Sequence, residues 1–328
     1  MRVFVTGGTG LIGSHVVAEL RAHGHEVVAL HRRGVDTLFL EENEAELVEG
    51  DIRDDPEVLS GLMRGCTNVV HAAALVYADG AWPKVRSVNV DGTRNVLTAA
   101  RLAGAQHVVY ISSVAVYGTV VGPVDEDSPT DSDLSPEDLY ARSKREAEEV
   151  VRGIEGMRGL PVTILRPSAV YGERDRLMAP ALADILRLPV VPVLGGGHNT
   201  LPVVYAGNVA VAVRLAVEAS RGLTTYNLAV DHELTQRDLF EMLAAGMGRT
   251  PRLVSVPAKV VQGGSGVLAR LGITTPGAKH LPLDRVTRLA LGDNPYRSER
   301  ARSELGWDPP YEHREALERT GRWLLKQN

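Results

Sequence analysis

Thr6-Gly7-Gly8-Thr9-Gly10-Leu11-Ile12-Gly13 follows the β-branched run Val3-Phe4-Val5 and leads straight into an apolar-periodic stretch, Leu11 to Ala22. A strand that turns into a helix through glycines at 7, 10 and 13 brings its main chain close to a ligand. Gly7 permits the tight turn, Gly10 lets the backbone approach a pyrophosphate, and Gly13 lets the helix pack closely on the sheet. The helix start also offers free N–H groups and the positive end of its dipole. Gly7, Thr9, Gly10, Leu11, Ile12 and Gly13 are therefore the expected phosphate-facing set, and the expected ligand is a dinucleotide.

The residues after the next strand choose between dinucleotides. An acid about 20 residues beyond the glycines would hold the ribose of NAD, whereas arginine suits the 2′-phosphate of NADP. Here the second strand ends in Leu30-His31-Arg32-Arg33, without a carboxylate. Two guanidinium groups can form charge-assisted bonds to a phosphate, so NADP is favoured, with NAD as the alternative and Arg32 as the stronger of the two candidates. Gly50-Asp51-Ile52 follows the third strand, where Asp51 and Ile52 would border adenine; a loop-capping role for Asp51 is the other reading.

Farther along, short β-branched runs alternate with helical patterns. Strands are expected at Val3–Thr6, Val27–Leu30, Asn68–His71, His107–Ile111 and Val162–Leu165, with helices around Leu11–Ala22, Pro56–Met63, Val85–Ala103 and Pro136–Ile154. That alternation predicts an α/β fold, a Rossmann-type doubly wound parallel sheet. Beyond Arg174 the pattern becomes irregular, so residues 1–174, with 201–230 returning, form the expected dinucleotide-binding domain. Residues 175–328 are expected to be mainly a smaller, mixed substrate-binding lobe. Within it, Thr235 caps a helix, Glu312 to Lys326 forms a terminal helix, and Gln262-Gly263-Gly264-Ser265-Gly266 reads as a mobile loop.

Composition narrows the function classes. A net charge of −5 disfavours nucleic acid as a partner. The single cysteine, Cys66, excludes internal disulfides and suits a reducing compartment. The histidines lack metal-ligand spacing, so no metal is expected. No apolar run reaches bilayer length and the first residues carry no secretory h-region, so a cytoplasmic protein without membrane association is expected.

Tyr140-Ala141-Arg142-Ser143-Lys144 places a phenol and an ammonium one helical turn apart on one face. A nearby Lys⁺ favours phenolate, which is how a tyrosine becomes useful as an acid or base near neutrality. Ser135, Pro136 and Asp138 look like that helix's start signals. Upstream, Tyr110-Ile111-Ser112-Ser113 closes a strand at the end where open α/β sheets bind ligands, so Ser112 or Ser113 can meet a substrate oxygen. The set Tyr140, Lys144 and Ser112 or Ser113 points to hydride chemistry at a carbonyl or alcohol.

Thr6–Gly13, His71-Ala72-Ala73-Ala74, Asn89-Val90-Asp91-Gly92-Thr93, Ser112–Gly118, Tyr140–Lys144 and Arg166–Gly172 occur in the order of the extended short-chain dehydrogenase/reductases, also called the NAD-dependent epimerase/dehydratase family. The resemblance spans nearly the whole chain. It implies Tyr140 as acid/base, Lys144 as its activator and ribose ligand, and Ser113 as the substrate-oxygen partner. It also implies that Ala72, Ala73, Ala74 and Pro167 line the cofactor, that Asn89 braces a strand-helix junction, and that helices around Val85–Ala103 and Leu139–Ile154 can pair in a homodimer. Gly195 to Tyr205 lacks the arginine that nucleotide-sugar members usually carry there, and the chain looks closer to dihydroflavonol-reductase-like and 3β-hydroxysteroid-dehydrogenase-like members. The expectation is an NADPH-dependent reductase of a ketone or aldehyde, or the reverse alcohol oxidation, on a small, largely apolar substrate. The alternative is a nucleotide-sugar epimerase or dehydratase with tightly held NAD, in which Arg166, Arg174 and Arg176 meet a diphosphate. A non-catalytic dinucleotide sensor is the remaining one.

Overall fold

The computed structural model describes residues 1–76, 81–120, 122–220, 222–229, 231–257 and 292–327. The chain divides into two compact units, Met1–Ser168 with Ala206–Ala229 and Tyr296–Asp308, and Ala169–Tyr205 with Val230–Pro295 and Pro309–Asn328. The return of Tyr296–Asp308 to the first unit has no counterpart in the sequence reading, which left those residues in the second lobe.

The first unit is built on seven strands: β1 (Arg2–Thr6), β2 (Glu26–His31), β3 (Glu46–Glu49), β4 (Asn68–His71), β5 (His107–Ile111), β6 (Val162–Pro167) and, after three strands of the other unit, β10 (Thr224–Leu228). They lie in the order β3-β2-β1-β4-β5-β6-β10, and every pairing is parallel. The order reverses direction between β1 and β4, the switch point at which doubly wound sheets open a crevice for ligands. Helices α1 (Leu11–Ala22) and α8 (Ala206–Ala219) pack against each other. The core cluster of Phe4, Leu59, Val69, Leu97, Val108, Val151 and Ile164 is buried and includes α3 (Pro56–Leu62), α5 (Gly92–Leu102) and α6 (Leu139–Arg158). Each such fully buried apolar side chain stabilises by roughly 1.5–3 kcal/mol before entropy is counted.

One row of side chains matters for the site. Register pairs Thr6 of β1 with His71 of β4, His71 with Tyr110 of β5, and Tyr110 with Ile164 of β6. The row crosses the sheet at its carboxyl end, so residues distant in sequence become lateral neighbours.

Two helix expectations change. The Tyr140 helix begins at Leu139 rather than Pro136, with the Asp138 carboxylate accepting from the Ala141 N–H (3.0 Å). Ser135 lies a turn too early; its carbonyl accepts from the Asp138 N–H in a separate turn. The stretch expected as one helix over Val85–Ala103 is α4 (Trp82–Arg86), a π-helical segment at Ser87–Asp91, and α5.

The second unit holds two parallel strand pairs, β7 (Ala169–Tyr171) with β9 (Val203–Tyr205) and β8 (Val191–Leu194) with β11 (Leu253–Val256). Its helices among the described residues are α7 (Met178–Leu186), α9 (Gln236–Gly246) and α11 (His313–Lys326), while α10 (Glu299–Leu305) belongs to the first unit's return segment. Thr235 and Asp238 form the expected capping box of α9. Helices α9 and α11 touch backbone to backbone: a Cβ on Gly246 would lie 2.3 Å from the Glu318 carbonyl oxygen, and one on Gly321 2.5 Å from that of Leu243. Leu186, Val193, Phe240, Leu243 and Leu317 form the core. The loop expected at Gln262–Gly266 lies outside the described residues.

Candidate active site

The glycine turn is shaped by close approach. Gly7 sits at φ +74°, and a Cβ there would lie 2.6 Å from the Ala73 nitrogen at the end of β4. A Cβ on Gly13 would lie 2.1 Å from the Gly7 carbonyl oxygen, so the helix rests on the turn itself. Gly10 is the N-cap of α1, no side chain caps that end, and no acid stands in its first turn. Thr9, Leu11 and Ile12 follow the same turn. A cradle of free N–H groups that only glycines can form fits a dinucleotide's pyrophosphate.

Behind the turn runs a buried polar chain. The Thr6 hydroxyl lies 2.7 Å from His71 Nδ1 and accepts from the Ala73 N–H (3.3 Å). His71 Nε2 lies 3.0 Å from the Thr93 hydroxyl, which donates to the Asn89 carbonyl (2.7 Å). Because the proton of Thr93 is committed to that carbonyl, His71 Nε2 is the donor and Nδ1 accepts from Thr6. Burial drives the His71 pKa down to about 3, with Lys144 adding to the shift, so the imidazole stays neutral.

Tyr140 and Lys144 share a face of α6, with Lys144 Nζ 5.9 Å from the centre of the Tyr140 ring. Tyr140 is half-buried, whereas Lys144 is 3% exposed. Lys144 Nζ donates to the Ile111 carbonyl (2.7 Å) and to the Tyr110 hydroxyl (3.5 Å). Burial brings its pKa down to about 7, with Glu148 acting in the opposite direction. The helix is held by Asn89, whose amide accepts from the Leu75 N–H (2.7 Å) and donates to the Leu75 carbonyl (3.0 Å) and to Ser143 Oγ (2.9 Å). Ser143 Oγ in turn donates to the Tyr140 carbonyl (2.8 Å).

The two serines separate clearly. Ser112 Oγ donates to Glu148 (2.6 Å), a bracing role. Ser113 Oγ accepts from the Ala115 N–H (3.1 Å), capping the short 3₁₀ turn Val114–Tyr117, and its own proton remains available to donate. Glu148 takes Arg166 in a bidentate pair (2.8 and 2.6 Å) and also Arg152 (2.9 Å). Arg166 donates its remaining terminal nitrogen to Tyr117 (2.7 Å), which donates to Asn227 (2.8 Å). Burial opposes both charges, yet the pairing holds Arg166 above and Glu148 below their ordinary pKa values. Arg166 is 1% exposed and engaged through all three guanidinium nitrogens, so the diphosphate contact that the nucleotide-sugar alternative allowed it is not open to it. Arg174 is half-buried at φ +69° beside Glu173, and Arg176 is exposed. The sequence reading gave Thr6, Thr93, Tyr110 and Glu148 no part; the available signal was their place at strand ends or one turn beyond Lys144.

The far end of the cradle is exposed. Arg33 is tied to Glu49 (2.7 Å), while the Arg32 side chain makes no hydrogen bond or ion pair with a described residue, its carbonyl alone facing His31 and Val35. Both border an open depression of about 410 Å³ with Gly50, Asp51 and Asp54. Asp51 accepts from the Arg53 side chain twice and from its N–H once (each 2.9 Å), and Arg53 holds its pKa low. A carboxylate has about four acceptor positions, so Oδ2 retains room beside its one bond. Ile52 is buried against α5, with its carbonyl accepting from Asn95 (3.2 Å). Ala72, Ala73 and Ala74 follow β4, and Pro167 ends β6.

The NAD dependent epimerase/dehydratase family profile matches residues 3–229. A 4-hydroxy-2-methyl-3-oxo-4-farnesyl-3,4-dihydroquinoline-1-oxide ketoreductase of Stigmatella aurantiaca is 28% identical over 97% of this chain and 95% of its own. A 2-alkyl-3-oxoalkanoate reductase of Stenotrophomonas maltophilia is 30% identical over 77% of each. Among solved structures, the dTDP-glucose 4,6-dehydratase DesIV of Streptomyces venezuelae, with NAD and TYD bound, superposes at TM-score 0.76 with 27% identity over 99% of this chain and 97% of its own. Among the described residues no helix is long and apolar enough to cross a membrane.

Proposed function

The chain belongs to the NAD-dependent epimerase/dehydratase family as an NAD(P)-dependent oxidoreductase of the extended short-chain dehydrogenase/reductase type, and within it we propose an NADPH-dependent reductase of ketones or aldehydes on small, largely apolar molecules. Arg32 carries this reading: an exposed, unengaged guanidinium closes β2, the place where an NAD site has an acid. The burial of Arg166 and the absence of arginine between Gly195 and Tyr205 argue against a sugar diphosphate as substrate. The names of the ketoreductase and oxoalkanoate reductase relatives lean the same way. The lone, buried Cys66 suits cytoplasmic work.

The first turn of α1 would hold the pyrophosphate, Arg32 the 2′-phosphate, and Lys144 the nicotinamide ribose. Bound reduced nicotinamide supplies the hydride. Ser113 and Tyr140 donate hydrogen bonds to the substrate oxygen, and Tyr140 passes it a proton as negative charge develops there. Lys144 lowers the cost of the resulting phenolate. The test is to incubate the protein with NADPH or NADH against carbonyl compounds and nucleotide sugars, following cofactor loss and sugar product. NADPH consumption with a carbonyl, absent in Tyr140→Phe, supports the reading; sugar conversion without net cofactor loss overturns it.

A further inference from the structure

We infer that Tyr110, which follows none of the assigned roles, is a positioning residue that keeps Lys144 charged, its hydroxyl oxygen serving as the only side-chain acceptor that a described residue turns to that ammonium. The inference rests on the proposed function insofar as Lys144 acts on Tyr140. Lys144 Nζ has two acceptors, the Ile111 carbonyl (2.7 Å) and the Tyr110 hydroxyl (3.5 Å), and it also lies 5.0 Å from the centre of the Tyr110 ring. Among the described residues no carboxylate touches it. Glu148, one turn along α6, is taken by Ser112, Arg152 and Arg166.

A phenol oxygen accepts as well as donates, so the Tyr110 hydroxyl presents a lone pair to Lys144. Thr93, whose own proton goes to the Asn89 carbonyl, also acts on the phenol. The phenol cannot ionise usefully: burial, Glu148 and Tyr140 all raise its pKa, and it is 1% exposed. It is a fixed dipole whose negative end meets the lysine. The charged or titratable groups around Lys144 are Tyr140 and Glu148 on its own helix, Tyr110 on β5, the neutral His71 on β4, and Arg166 and Arg152 behind Glu148. Of these, Tyr110 alone is a direct side-chain acceptor.

Removing the hydroxyl should therefore let Lys144 lose its proton at lower pH. A hydrogen bond to a charged group supports a displacement of about one pH unit. The chain has five lysines, so Lys144 can be followed by NMR of labelled lysine side chains in the full-length protein. In Tyr110→Phe the Lys144 titration, and with it the alkaline limb of kcat/KM for carbonyl reduction, moves down by about one unit, while the acid limb stays. Thr93→Val, which removes the hydroxyl that acts on the phenol, moves both the same way by less; Thr93→Ser moves neither. Unchanged Lys144 titration in Tyr110→Phe overturns the inference, whatever the activity. If Tyr110→Phe does not fold, an unmoved titration in Thr93→Val overturns it. A shifted titration in a protein that reduces no carbonyl sustains the role of Tyr110 and sinks the proposed function instead.

Discussion

The two ends of the dinucleotide cradle are built on opposite principles. Around Lys144, polar groups are buried and mutually committed: Thr6, His71, Thr93, Asn89, Tyr110, Glu148 and Arg166 each have named partners. Around Arg32, charges stand in water, and the Arg33–Glu49 pair has side chains 87% and 46% exposed. In low dielectric a misplaced proton or missing partner is costly, whereas exposed ion pairs contribute little. Chemistry should therefore depend on the first end, and cofactor choice should be adjustable at the second.

The contrast is tested first at Tyr140. Tyr140→Phe should lower turnover by about 10²–10⁴-fold with the melting temperature and NADPH affinity retained, the size of lost acid–base assistance; turnover near that of the parent would remove Tyr140 from the chemistry. Next is the ion pair beneath it. Arg166→Met leaves the Glu148 carboxylate buried with Ser112 and Arg152 as its remaining partners and should cost about 3–5 kcal/mol in urea unfolding, most of it recovered in Glu148→Leu/Arg166→Met. A single variant as stable as the parent would mean that the pair is solvated.

Acid should expose the same end. The His71 pKa falls from its ordinary value to about 3 on folding. The unfolded chain thus binds the proton first, and stability present above pH 6.5 is lost on acidification towards 3, at up to about 1.4 kcal/mol per unit. Urea titrations between pH 7 and 5 check this above the carboxylate range; a flat profile would show that the imidazole charges in place. At the exposed end, Arg32→Glu should weaken NADPH by about 10-fold or more, the scale of one charge-assisted bond to phosphate, while leaving NADH nearly untouched; equal losses would erase the distinction. Arg33→Ala should change the melting temperature imperceptibly.

What the sequence made legible follows the same division. The strand-turn-helix at Thr6–Gly13 and the Tyr140/Lys144 spacing are local, and local patterns survive in one dimension. Tyr110, Thr93 and His71 become neighbours only through strand register and the π-helical segment. Arg166 looked like a phosphate ligand because its type suits one, and only its position within β6, paired with Glu148, shows a structural charge. The start of α6 was misplaced because Ser135 and Asp138 offer competing caps, and it is the Asp138 carboxylate that takes the Ala141 N–H.

The π-helical segment Ser87–Asp91 has a consequence for inherited change. Such a bulge is an α-helix carrying one residue too many, and its flanks are out of phase by the rotation of a single residue. Deleting one residue there would restore an unbroken ladder and tighten the helix locally. It would also swing Asn89 away from Leu75 and Ser143, and the clasp on the Tyr140 helix would open. A sturdier helix and a working clasp thus make opposite demands on the same few residues.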